Sequence, residues 1–191
     1  MCSFVKKILL VCGISGTGKS TLVKELCKKY PEEYLKLNQF TTRKKRENEN
    51  KDDYIFLKDE REVNIIKDKY NIFAENISKE GHYGTIDTSK EDMISCVVVN
   101  RKGWDSAMKY LVNKYRPEEC KIRTLKVEVF DKNLLPKREG RDKEFVKNEE
   151  ISLFGIEDII IYRDQNGYDL EEVDNSIKEI FMKDESELLQ C

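Results

Sequence analysis

The run KKILLVCGISGTGKSTLVKELCKKY, residues 6–30, constrains the architecture of this chain more than any other stretch. KKILLVCG is an apolar run of strand length. Past the glycines, Leu22, Val23, Leu26, Cys27 and Tyr30 recur at helical spacing. Strand, glycine-rich turn and helix in that order open a βαβ unit, which commits the chain to a parallel sheet covered by helices. The turn, Gly13-Ile-Ser-Gly-Thr-Gly18-Lys19-Ser20, fits G-x-x-x-x-G-K-[ST] in full. Its glycines let backbone N–H groups converge on one concavity, and the helix N-terminus adds the positive end of its dipole. Gly13, Ser15, Gly16, Thr17, Gly18, Lys19, Ser20 and Thr21 are therefore the candidate ligands of a nucleotide's phosphates. Lys19 supplies a point charge for the outer phosphates, and the Ser20 hydroxyl suits Mg2+.

The remaining periodicity extends the same pattern. CVVVN (96–100), residues 122–130 and DIIIYR (158–163) read as strands. Trp104, Ala107, Met108, Leu111 and Tyr115 mark one helix, and Leu170, Val173, Ile177, Ile180 and Phe181 mark another. Between the first helix and residue 96 lie a charged segment, YIFL (54–57), a helix within 59–69, the apolar stretch NIFAENI (71–77), and a polar segment with room for one or two helical turns. Residues 131–150 are charged and nearly devoid of apolar anchors, and the tail from Lys183 has no packing logic. The expected fold is a single α/β domain: a core of about 1–37, 91–130 and 151–182, with an inserted subdomain at 38–90 and a polar segment at 131–150.

Composition removes several function classes. With 35 basic and 37 acidic residues among 191, the net charge is -2, so no global basic field favours nucleic acid. The six cysteines form no CxxC pair, and there is one histidine. Reduced thiols in a cytoplasmic protein are expected, with no metal cluster. No stretch approaches the roughly 20 apolar residues of a membrane span. Asn50-Lys51-Asp52-Asp53 and Asp164-Gln-Asn-Gly167 spell two guanine-nucleotide motifs of GTPases, but in reversed order, and the first follows a polar run.

The segment TTRKKRENENKDDY, residues 41–54, adds a second anion grip. It resembles the T-T-R-x-x-R…D-Y element of the guanylate kinase family, and the likeness continues in register. Phe73-Ala74-Glu75 is similar to the family's F-x-E, and His82-Tyr83-Gly84-Thr85 to its Y-Y-G-[ST]. The resemblance implies that Arg43, Arg46, Tyr54 and Tyr83 hold the phosphate of an acceptor nucleotide. That is chemically sensible, because planar guanidiniums engage two oxygens at once and phenols donate without further charge. It also implies that Glu75 and Thr85 read the base. Gln39 and Asn100 stand where the family has a serine and an aspartate, and Val98 replaces a second aspartate that would support Mg2+. Asp131 is one acid that could substitute. LLPKREGRD is similar to a degraded form of the family's ATP-closing lid, which makes Arg138 and Arg141 candidates to reach the transferring phosphoryl group.

The resemblance thus implies ATP-dependent phosphorylation of a nucleoside monophosphate, GMP or dGMP first, with Mg2+ as cofactor. The protein would be a monomer or weak dimer whose partners are small nucleotides, not nucleic acid or membrane. Three alternatives remain at this level. They are a P-loop kinase of another phosphorylated metabolite, a catalytically weak guanylate-kinase-like binding module, and a GTPase.

Overall fold

A computed structural model describes residues 5–47, 49–131, 133, 135 and 155–183. Its centre is the strand that precedes the glycine loop. β1 (Lys6–Cys12) pairs in parallel with β7 (Ile94–Val98) on one side and β8 (Cys120–Val129) on the other. β2 (Tyr34–Lys36) and β9 (Ile159–Arg163) complete a five-stranded, all-parallel sheet of order β2-β7-β1-β8-β9. A sheet of this kind is buried on both faces, which explains why ILLVC shows no alternation of polar and apolar residues.

The two faces of β1 feed separate cores. Leu9 and Val11 pack with Leu22, Val23 and Leu26 of α1 (Lys19–Lys29) and with Val173, Ile177 and Phe181 of α4 (Leu170–Met182). Ile8, Leu10 and Cys12 pack with Ala107 and Leu111 of α3 (Arg101–Lys114). Burial pushes the Cys12 thiol up to about 11, so it is an inert apolar group. The four described cysteines, at 12, 27, 96 and 120, are all unpaired.

A second sheet of order β4-β3-β6-β5 is inserted between β2 and β7. It contains β3 (Gln39–Thr41), β4 (Ile55–Phe56), β5 (Ile72–Ser78) and β6 (Gly81–Ile86). Its small core of Phe40, Val63 and Ile86 is closed by α2 (Glu60–Lys69), where Asp59 caps the N-terminus by accepting from the backbone N–H of Arg61 and Glu62. The sequence reading placed β9 and the strand of residues 122–130 to within two residues. It did not foresee that HYGT is strand, and no helical turn forms between Ile86 and Ile94. There Asp87 instead receives Ser89, Lys114 and Tyr115. The CVVVN strand ends at Val98, and Asn100 becomes the N-cap of α3.

β5 carries one irregularity with consequences for the site. Ala74 has φ 52°, and the β5–β6 register slips between Phe73, which faces Thr85, and Asn76, which faces Tyr83. An unbroken ladder would have set Glu75 opposite Tyr83. The bulge inserts one residue and sets Asn76 there instead.

Candidate nucleotide cleft

The glycine loop is positioned by its own conformational demands. Gly13, Gly16 and Gly18 adopt φ of 141°, 96° and 98°. At Gly13 a Cβ would stand 2.3 Å from the Val127 carbonyl oxygen, so the loop lies directly against β8. Gly18 caps α1 with no side-chain hydrogen bond and with no acid in the first turn, which leaves the helix N-terminus to an outside anion. Thr17 is buried: its hydroxyl donates to the Ile14 carbonyl, and its own carbonyl accepts from Tyr168. The Lys19 ammonium folds back onto the carbonyls of Gly13 and Ile14 at 2.7 and 2.8 Å. Ser15, Gly16, Gly18, Ser20 and Thr21 line the adjoining cavity of about 520 Å3.

Across the cleft stand the two arginines. Arg43 is buried against the rings of Tyr54 and Phe56, with its guanidinium carbon 5.3 and 5.9 Å from their centroids. Both of its terminal nitrogens engage the Glu49 carboxylate. Burial alone would raise the Glu49 carboxyl, but the bonds from Arg43 and the Arg46 backbone N–H hold it below its ordinary value. Arg46 is half exposed and pairs with Glu80 at 2.8 Å, and the Tyr83 hydroxyl donates to the same carboxylate at 3.3 Å. Burial raises the Tyr54 and Tyr83 phenols, which keeps both as donors. Lys44 and Lys45 are surface residues.

The two grips share one space. Lys19 and Ser15 of the loop, together with Gln39, Arg43, Arg46 and Tyr54, line both the 520 Å3 cavity and a neighbouring one of about 460 Å3. Asn100 also lines the smaller cavity. Gln39 donates to the Thr85 hydroxyl and to the Val98 carbonyl, and Thr85 is fully buried.

Two expected base readers are not brought into the cleft. Thr85 makes no part of its lining. Glu75 faces the opposite side of the sheet, where its carboxylate meets Lys67 and lies 2.5 Å from the His82 ring, which Glu60 holds from the other side. The bulge at Ala74 is the physical reason for that correction. His82 is buried in this acid–imidazole–acid bridge.

Several cleft residues escaped the sequence reading. Asn76 lines the cleft because of the bulge, which nothing in FAEN announces. Arg163 lines the loop cavity from the end of β9, and the rule that ligands gather at the carboxyl ends of parallel strands would have flagged it. Arg138 and Arg141 lie outside the described residues. Among the described residues no group of three or more His, Cys, Asp or Glu could hold a metal ion. The donor set still fits Mg2+ through the Ser20 hydroxyl plus phosphate oxygens and waters, the way this ion is held beside nucleotides. Val98 offers it nothing, and the Asn100 side-chain oxygen already accepts from Gly103.

The two GTPase-like tetrads resolve into turns. Asn50–Asp53 closes on itself through two hydrogen bonds, with Asp53 paired to Lys24. Asp164 and Gly167 form an isolated bridge after β9.

A glycine loop on the central strand of a parallel sheet, facing an arginine-bearing insert, defines the P-loop class of nucleotide-phosphate-binding α/β proteins. Within that class the chain is similar to known guanylate kinases. The model of the guanylate kinase family matches residues 5–97. The guanylate kinase of Mycoplasma genitalium is 39% identical over 90 residues, a match that spans 46% of this chain and only 37% of that protein. The crystal structure of guanylate kinase from Anaplasma phagocytophilum superposes with a TM-score of 0.66 at 19% identity, covering 96% of this chain and 90% of that one. The family model thus covers just under half of the chain, and the described fold as a whole resembles that of a solved guanylate kinase. No described helix is long and apolar enough to cross a membrane.

Proposed function

We propose that the protein transfers the γ-phosphoryl group of ATP to a nucleoside monophosphate, GMP or dGMP first, giving the diphosphate. The observation that carries this is the sharing of one cleft by Lys19 on one wall and Arg43 and Arg46 on the other. A cleft with cations on both walls suits two phosphorylated substrates set end to end, and phosphoryl transfer needs little beyond that alignment and charge neutralisation.

The roles follow from the chemistry of each group. Lys19 exchanges the carbonyls of Gly13 and Ile14 for donor phosphate oxygens. Gly16, Gly18, Thr21 and the first turn of α1 supply N–H donors. Ser20 is the protein ligand for Mg2+, which when bound neutralises the phosphate charge. Arg43 is pre-oriented by Tyr54, Phe56 and Glu49, so little rotamer entropy is lost when it meets the acceptor phosphate. Arg46, Tyr54 and Tyr83 complete that grip. Arg138 and Arg141 are proposed to meet the transferring group from the segment at 131–150. The 38–90 insert is proposed to act as the acceptor-binding subdomain, in a cytoplasmic protein that works as a monomer or weak dimer.

The test is ADP release coupled to a reporter, across the common ribo- and deoxy-monophosphates, with Lys19→Ala as background. Stimulation by GMP or dGMP above that background is expected. If no monophosphate raises ADP release above the variant, the kinase reading is wrong.

A further inference from the structure

Resting on the kinase reading above, we propose that the acceptor base is read by a pair of side-chain amides, Asn76 and Asn100, through the 6-oxo and N1–H edge that guanine and hypoxanthine share. No carboxylate would read the 2-amino group, so IMP would be an acceptor on a par with GMP.

The phosphate grip fixes which end of the cleft the base must occupy. With the acceptor phosphate held by Arg43, Arg46, Tyr54 and Tyr83, the remaining side chains that line the cavity include Ala74, Asn76, Val98 and Asn100. Among the described residues that line this cavity the one carboxylate is Glu80, at the grip end and engaged by Arg46 and Tyr83. Glu75 would have been the acid to accept two N–H bonds from guanine. The bulge turns it to the far face, where Lys67 and His82 hold its carboxyl below its ordinary value against the effect of burial.

The orientations of the two amides follow from their partners. Asn100 caps α3, so the atom accepting from the Gly103 N–H at 2.9 Å is its oxygen. The Asn76 amide group facing that oxygen at 3.4 Å is then its NH2. What Asn100 can offer a ligand is its NH2, and what Asn76 can offer is its oxygen. A donor and an acceptor on touching side chains complement an edge that presents a carbonyl oxygen beside an N–H. Adenine presents the two in the opposite sense. Asn76 is itself about nine-tenths buried, so this acceptor is pre-placed on a rigid strand. A neutral acceptor engages N1–H and leaves the exocyclic 2-amino group without a matched partner. Strong discrimination requires that a site be built around the distinguishing group.

The experiment compares GMP, IMP and AMP as acceptors for the full chain by ADP release, and measures GMP and IMP dissociation constants by calorimetry. The expected results are kcat/KM and Kd for IMP within about tenfold of those for GMP, with AMP far poorer. Asn76→Ala should raise KM for GMP and IMP tenfold or more while leaving KM for ATP in place. Asn76→Asp, which puts a carboxylate at the base end of the cleft, should favour GMP over IMP. Glu75→Gln should leave the GMP:IMP ratio within twofold. A thousandfold preference of the unmodified protein for GMP over IMP, or collapse of a GMP preference in Glu75→Gln, overturns the proposal, and neither depends on whether the Asn76 variants fold. Should GMP and IMP bind without ADP release, the kinase reading alone fails, and the ratio of dissociation constants still decides the question of the base.

Discussion

If Arg46 and Tyr83 hold an acceptor phosphate as proposed, Glu80 competes with it, and neutralising Glu80 should tighten acceptor binding. Its carboxylate oxygen lies 2.8 Å from Arg46 Nη2 and 3.3 Å from the Tyr83 hydroxyl, two of the four groups of the grip. A phosphate dianion must displace it from both. The pair is solvent-accessible, with the Arg46 and Glu80 side chains 49% and 63% exposed, so its worth is that of a surface ion pair, about 0.2–1 kcal/mol. The long phenol contact adds little, so the ion pair carries most of the competition. Glu80→Gln should therefore lower the GMP dissociation constant roughly two- to fivefold, since 1.4 kcal/mol is tenfold. Calorimetry at low ionic strength is the assay, and kcat should not change. Because exposed charges are screened, the gain should shrink toward nothing at about 0.5 M salt. Guanosine, which has no phosphate, should bind both forms alike. A GMP affinity that is unchanged or weaker in Glu80→Gln at low salt would show that this carboxylate does not compete for the site.

Three further outcomes are expected. Arg43→Ala should reduce kcat/KM for the acceptor at least tenfold, about 1.4 kcal/mol, and Arg43→Lys should recover little of it, because an ammonium lacks the planar face that lies against Tyr54 and Phe56 and cannot engage two oxygens side by side. Gly13→Ala should cost roughly 2–4 kcal/mol, read as a lower urea midpoint, because its Cβ meets the Val127 carbonyl at 2.3 Å in a left-handed backbone. Burial would raise the carboxyls of Glu49, Asp53, Glu75 and Asp87, yet their ion pairs and hydrogen bonds hold all four below their ordinary values. Groups depressed in the folded state contribute stability that is full above the ordinary carboxylate pKa of about 4 and lost as pH falls through their folded values. The urea midpoint should be level between pH 7 and about 5, decline below about 4, and decline less steeply in Glu49→Gln.

What the sequence revealed and what it hid divide along physical lines. The loop around Lys19, the helix behind it and the parallel sheet depend on local spacing and on runs that must be buried on both faces, so they were legible. Arg43 and Arg46 were legible because a likeness in register extended through Tyr54 and Tyr83. Glu75 was misplaced because strand alternation holds only until a bulge, and the bulge lies at an alanine with positive φ, where composition gives no warning. Asn76 was hidden by the same slip. The carboxylates of Glu49 and Glu80 looked like part of a solvated charge run, and only the closure of β6 against β3 brings Glu80 to Arg46. Arg163 depended on where β9 ends relative to β1, a register set by tertiary pairing and not by either strand alone.

The stretch with family likeness ends at residue 97, but what keeps it folded comes from much farther along. The Thr17 carbonyl is tied down by Tyr168, the Tyr34 hydroxyl by Asp174, and the greasy underside of α1 by Val173, Ile177 and Phe181. A fragment excised at that boundary would keep the glycine loop and the Arg43–Thr85 motifs yet strand Leu9, Val11 and Leu22 in water. Residues 155–183 act as the keystone of a vault whose best-marked stones stand on the other side.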